Sequence, residues 1–174
     1  TLFAIPGPEP FAVRVRLETP GDEPGVRHVN LAAFTGPEEA DIVDRIRREA
    51  PEGWHSLVAI GAPGGPADGV IVGQLLLSPC RVEDADGGLV ATALAIGPVA
   101  VLPELQSRGI GSALMSAAMG LAIARAVPAL VLLGHPAYYP RFGFGSARAV
   151  GLEPPAAAWP DAAWMARLLP AWTD

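Results

Sequence analysis

The sequence predicts an α/β (α+β) protein in which a mixed sheet is flanked by helices, and three observations predict it. An apolar run from Thr92 to Leu102 leads through a Gly-rich turn into an Ala-rich stretch, then into a second apolar run from Ala129 to Gly134. Strand, helix, strand of this kind makes a parallel pair with a right-handed crossover. Upstream, Trp54 to Ile60 and Gly69 to Ser78 are apolar runs joined by Gly61-Ala-Pro-Gly-Gly-Pro-Ala-Asp-Gly69, the mark of a hairpin. Finally, 174 residues at 51% apolar and 17% charged suit a single domain over 1–174 with a sizeable core. No repeat or linker divides it.

The elements follow in order. Thr1 to Pro10 holds three prolines and is expected to drape over the surface. Phe11 to Leu17 alternates as a half-buried strand, with Val13, Val15 and Leu17 on one side. Gly21-Asp22-Glu23-Pro24 starts a helix, with acid and proline in the first turn. Val26, Val29, Leu31, Ala32 and Phe34 mark its inner face. Thr35-Gly36-Pro37-Glu38 opens a second helix through Ala50, with Ile42, Val43 and Ile46 inward and its many charges on a solvated face. After the hairpin, Glu83 to Gly88 turns the chain into the central strand. Its three acids lack EF-hand spacing and read as a turn.

Within that strand, Pro98 donates no ladder bond and a glycine beside it often marks a bulge, so the strand is expected to be interrupted at Gly97-Pro98. Pro103-Glu104-Leu105 turns the chain, and Gln106 to Gly111 opens a helix carrying Ile110, Leu114, Ala117 or Ala118, and Leu121 on one side. Pro128 ends the connection. Tyr138 to Phe142 is a turn or short helix, Phe144 to Val150 a strand, and Ala163 to Leu169 is open between helix and strand.

A strand feeding a Gly-rich turn and a helix N-terminus is an anion site, because the first helical amides have no intrahelical partner. Gln106-x-x-Gly109-x-Gly111 after Val99-Ala100-Val101-Leu102-Pro103 resembles the acyl-CoA signature of the GNAT superfamily of N-acyltransferases, Q/R-x-x-G-x-G/A. Downstream, Tyr138 to Phe144 is similar to the family's Tyr-x-x-x-Gly-Phe segment. The two motifs stand in the family's order, and the resemblance covers about Leu89 to Phe144. It implies a mostly antiparallel sheet of six to seven strands with a splayed parallel central pair. It also makes Ala163 to Leu169 a final strand.

The resemblance further implies acetyl-CoA as cosubstrate and a primary amine, small-molecule or peptide, as acceptor. Its pantetheine would lie along Val99 and Val101, and its pyrophosphate on the amides of Ser107, Arg108, Gly109, Ile110, Gly111 and Ser112, with the Arg108 side chain a further charged contact and Gln106 and Tyr139 also on the cofactor. An amide of the strand, Val99 above all, would stabilise the oxyanion, a role worth roughly 3–4 kcal/mol in other acyl-transfer enzymes. Tyr139, four residues before Gly143, matches the general acid, with Tyr138 as the alternative. A phenol of pKa about 10 is protonated at neutral pH. The base is open: no carboxylate stands near Leu94 to Val99, which leaves His135, then Glu52 and His55, or water. The acceptor pocket is expected around Phe34 and Trp54. A second class of function remains beside the enzyme, a non-catalytic acyl-CoA-binding module on the same fold.

Net charge of −6 argues against nucleic acid as partner. All twelve basic residues are arginine, a bias with no functional meaning that the residues supply. A lone cysteine, Cys80, excludes an intrachain disulfide, and the first residues lack the basic start of a signal peptide. A cytoplasmic protein without membrane contact is therefore expected. The histidines at 28, 55 and 135 lack ligand spacing, so no metal is expected. Trp159, Trp164 and Trp172 offer a surface for a homodimer.

Overall fold

The computed structural model describes residues 9–49 and 52–173, so most of the proline-rich Thr1 to Pro10 and Ala50 of the second helix lie outside the described residues. Ten elements follow: β1 (Val13–Leu17), α1 (Glu23–Ala33), α2 (Glu38–Glu49), β2 (His55–Gly61), β3 (Ile71–Glu83), β4 (Leu89–Val101), α3 (Ile110–Ala124), β5 (Ala129–Leu133), β6 (Gly145–Ser146) and β7 (Trp164–Leu168). The strands form one sheet in the order β1-β2-β3-β4-β5-β7-β6. All neighbours are antiparallel except β4 and β5. The expected mostly antiparallel sheet with one parallel pair is therefore present.

The central strand carries the expected bulge. Leu75 stands opposite Val99 and Leu77 opposite Ile96, so Gly97 and Pro98 together face Leu76. Beyond the bulge β4 has lost its other neighbour. Its register with β5 consists of Leu94 with Leu130 and Ala95 with Val131, while β5 continues to Leu133 beside β7. The parallel pair splays, and one edge of β4 from Gly97 onward is open.

Helix α3 covers one face with Ile110, Leu114, Met115, Ala118 and Ala122, all buried. Its close approach depends on Gly73, where a Cβ would lie 3.0 Å from Ile110 and 3.1 Å from Leu114. On the other face α1 and α2 pack through Val26 and Val43. There Asn30 Nδ2 donates to Gln74 Oε1 (3.1 Å) and Gln74 Nε2 to Ser56 Oγ (3.0 Å), all three side chains being buried. This chain of amides pins α1 to β3 and β2 and leaves few alternatives for their register.

Four apolar residues expected inward are exposed. On α1 the inward stripe at i, i+3, i+4 is Val26, Val29 and Asn30, which turns Leu31 and Ala32 out of phase. On α2 the buried pair is Ala40 and Val43, and Ile42 faces sideways. Leu17 ends an edge strand and is exposed. The strand expected over Phe144 to Val150 shrinks to Gly145–Ser146. Ala147 then closes a helical turn, accepting the amide of Leu152, and Arg148 pairs with Asp161 and Glu153. Those ion pairs hold the chain off the sheet.

Trp164 is buried and donates Nε1 to the Leu152 carbonyl (2.9 Å), with Trp159 and Trp172 packed about the same cluster. Trp164 thus belongs to the core, and Trp159 and Trp172, both half-buried, pack against it. Among the described residues no helix is long and apolar enough to cross a membrane, and no group of three or more His, Cys, Asp or Glu is placed to hold a metal.

Candidate active site

The open edge of β4 and the N-terminus of α3 enclose a cleft of about 570 Å³. In the β3–β4 ladder Leu102 donates to the Val72 carbonyl. By antiparallel alternation Ala100 also faces β3, so the amides and carbonyls of Val99 and Val101 face the splayed side. Gln106 agrees: its Nε2 donates to the Val101 carbonyl from that side (3.2 Å).

After Gln106 the chain passes through Ser107 (φ 60°) and Gly109 (φ 89°), both left-handed. A non-glycine there costs about 1–2 kcal/mol, so the surroundings impose the loop shape on Ser107. Gly109 caps α3, and the first intrahelical bond runs from Ala113 to the Gly109 carbonyl. The amides of Ile110, Gly111 and Ser112 are therefore left for a ligand, with the positive end of the helix behind them.

The opposite wall is the turn after β5. Tyr138 and Tyr139 meet edge to face at 5.0 Å, and Tyr139 rests on Phe144 at 6.1 Å. Two glycines make room for the pair. A Cβ on Gly111 would stand 2.7 Å from the Tyr138 hydroxyl, and one on Gly134 would overlap the Tyr139 ring. Burial, and secondarily Tyr138, pushes the Tyr139 phenol above its ordinary pKa, so it remains a proton donor. Arg141 lies over the Tyr138 ring at 4.4 Å, its Nε donating to the Tyr138 carbonyl (2.9 Å), and is the charged side chain lining the cleft.

Val99, Val101, Gln106, Ser107, Gly109, Ile110, Gly111, Ser112 and Tyr139 are thus brought together. Arg108 is not among them. Its Nε donates to the Glu9 carbonyl (3.0 Å) and its guanidinium covers Phe11 at 5.0 Å, so it ties the N-terminal segment to the loop. His135 is exposed, its Nδ1 accepting the Ala137 amide (3.3 Å), and lies off the cleft. His55 lines a separate hollow with Trp54, Glu18 and Arg47, and burial, with Arg125, lowers its pKa. Phe34 packs into the main core. Sequence reasoning missed Arg141 and Gly134; Arg141 sits inside the quoted Tyr-x-x-x-Gly segment, and Gly134 carried no signal beyond ending a strand.

A second cavity of about 1090 Å³ lies on the other face of the sheet. Its floor is Cys80, Val82, Ala95, Gly97 and Val131, and the loop carrying Leu152 and Trp159 covers it. The register puts Ala95 and Val131 side by side, while Val99 pairs with Leu75 on the α3 face. The two cavities therefore approach the gap between β4 and β5 from opposite sides.

Residues 14–147 match the family model of the GNAT acetyltransferase domain. The chain belongs to the GNAT acetyltransferase family. Among its GNAT relatives is the uncharacterized N-acetyltransferase YhbS of Escherichia coli K12, 28% identical over 130 residues, 75% of this chain and 72% of that one. The E. coli K12 N-acetyltransferase YjhQ is 30% identical over 125 residues, 71% of this chain and 64% of the relative. The crystal structure of YhbS in complex with CoA shares the GNAT fold at a TM-score of 0.79 and 24% identity, over 96% of this chain and 85% of that one. A Brucella melitensis GNAT acetyltransferase in complex with acetyl-CoA matches at 0.66 and 32% identity, over 78% and 84%. The chain is accordingly an acyltransferase of this family.

Proposed function

We propose that this protein transfers the acetyl group of acetyl-CoA to a primary amine by direct attack, with Tyr139 as general acid. The observation that carries the proposal is the single cleft in which an open strand edge runs into uncapped helix amides beside Tyr139. An extended pantetheine fits the Val99 and Val101 edge as an added strand. A pyrophosphate fits the amides of Ile110, Gly111 and Ser112, with Arg141 as counter-charge. Two structural relatives hold CoA or acetyl-CoA.

In the reaction the amine nitrogen bonds to the thioester carbonyl carbon. The Val99 amide donates to the resulting oxyanion. Collapse breaks the carbon–sulfur bond, and the Tyr139 hydroxyl passes its proton to the departing sulfur. The new amide nitrogen releases a proton to solvent, which restores the tyrosine. No carboxylate or imidazole lines the cleft among the described residues, so the amine enters neutral or loses its proton to water.

Calorimetric titration with acetyl-CoA, beside Gly109→Glu, and CoA release across a panel of amines test the proposal. Saturable binding that Gly109→Glu abolishes, with turnover of at least one amine, is the expected result. Binding without any turnover would favour the non-catalytic module, a reading that the absence of a base in the cleft keeps in view. No binding in either protein would sink both.

A further inference from the structure

We infer that the acceptor is a hydrophobic primary amine, a single ammonium on an aromatic or branched apolar body, seated in the second cavity; this rests on the acetyl-transfer reading above. Position comes first. Gly97 lines this cavity and Val99 lines the cofactor cleft, one on each side of Pro98, so a nucleophile in the cavity meets the thioester through the gap left by the splayed strands. Entry from the opposite face leaves the cleft free for the cosubstrate.

The walls give the body of the ligand. Val82, Val131 and Trp159 are apolar, and Ile42 and Leu133 at the mouth are 37% and 46% exposed. Large side chains left uncovered around one concave site mark a place where an apolar partner sits. Trp159, tilted at 60° to the buried Trp164 with centroids 5.5 Å apart, presents a braced ring for stacking or for a cation.

The charges give its head. Around the mouth stand three carboxylates, Glu83, Asp84 and Glu153, against the guanidinium of Arg81. The excess draws a cation. Yet each carboxylate is already engaged: Glu83 with Arg81, Glu153 with Arg148, and Asp84 with the amides of Asp86 and Gly88. One ammonium is attracted, and a polyamine finds no set of free carboxylates for its further charges.

The test compares kcat/KM for phenethylamine and tryptamine with that for spermidine and a glycine-terminated tripeptide, by CoA release, with acetyl-CoA affinity measured in parallel. The two aromatic amines are expected to lead by at least tenfold. Ile42→Ser and Leu133→Ser, each at the exposed mouth, are expected to lower phenethylamine kcat/KM by roughly tenfold, as loss of apolar contact does in other pockets, with acetyl-CoA affinity unchanged. A lead for spermidine or the tripeptide would overturn the inference and leave acetyl transfer standing, as would two silent variants. Absence of acetyl-CoA binding would remove both. If acetyl-CoA binds and no amine reacts, phenethylamine is titrated into the CoA-loaded protein. Saturation that both variants weaken supports the seat, and no saturation overturns it.

Discussion

Tyr139 combines a shielded phenol with a place at the end of the open β4 edge, and its chemistry follows from both. Tyr139→Phe keeps the ring on Phe144 and removes the proton, so kcat should fall at least tenfold while acetyl-CoA affinity, read by calorimetry, stays within twofold. An unchanged kcat would remove the role. Because its folded pKa is raised, the donor remains protonated past the ordinary tyrosine value of about 10. The kcat–pH profile should therefore show no alkaline fall from this group below that value. Cys80 offers a contrast in the other cavity. Burial pushes its thiol up to about 11, so it is neutral at pH 8. It should react with a disulfide reagent there far more slowly than the urea-unfolded chain. Arg141→Gln should weaken acetyl-CoA binding about tenfold and flatten its dependence on salt, since on the proposed reading it removes the counter-charge of the pyrophosphate.

At the level of elements, the strands and helices rich in one periodic signal were readable, and those decided by a partner were not. The Gly97-Pro98 bulge is written in the sequence because proline lacks the donor a ladder needs. The long β3 is not: its end from Pro79 to Glu83 forms because β4 offers Leu94 to Leu89 as a partner across a turn closed by Asp84. Leu31 misled because apolar character was counted without the polar Asn30, which takes the inward slot on α1 and meets Gln74; on α2 the inward places go to Ala40 and Val43, which leaves Ile42 out. That bond is testable. Gln74→Ala leaves a cavity, leaves Asn30 Nδ2 with the Val26 carbonyl alone and takes from Ser56 Oγ the donor it meets, so urea unfolding should show a loss of about 2 kcal/mol or more. Elements also hold the Tyr139 ring. Gly134→Ala puts a methyl into Tyr139, so kcat should drop with acetyl-CoA affinity nearly intact; a loss of affinity alone would instead place Gly134 with the cosubstrate.

On the scale of the whole molecule, half of the candidate site is local and half is assembled. The stretch from Val99 to Ser112 is contiguous, which is why a strand–glycine–helix pattern exposed it before any coordinates. Tyr139 came with a second short motif. The second cavity draws Ile42, Val82, Val131 and Trp159 from four separate parts of the chain, and nothing in their local patterns links them. Only the order β3-β4-β5-β7 brings them together. Phe34, expected at the acceptor pocket, packs against the main core, and Trp54 lines the separate hollow with His55.

The bulge has one more effect, on the parity of β4. Before it, the even-numbered Leu94 and Ile96 point toward α3; after it, the odd-numbered Val99 and Val101 do. Two opposite rules of alternation coexist in one strand, and a single surplus residue reconciles them. Removing Gly97 would leave Pro98 alone opposite Leu76 and restore an unbroken alternation with Leu94, Ile96, Val99 and Val101 all on the α3 face. The surplus residue is thus not needed to keep the core side chains on their face; one deletion there preserves the parity of β4, and a second would reverse it.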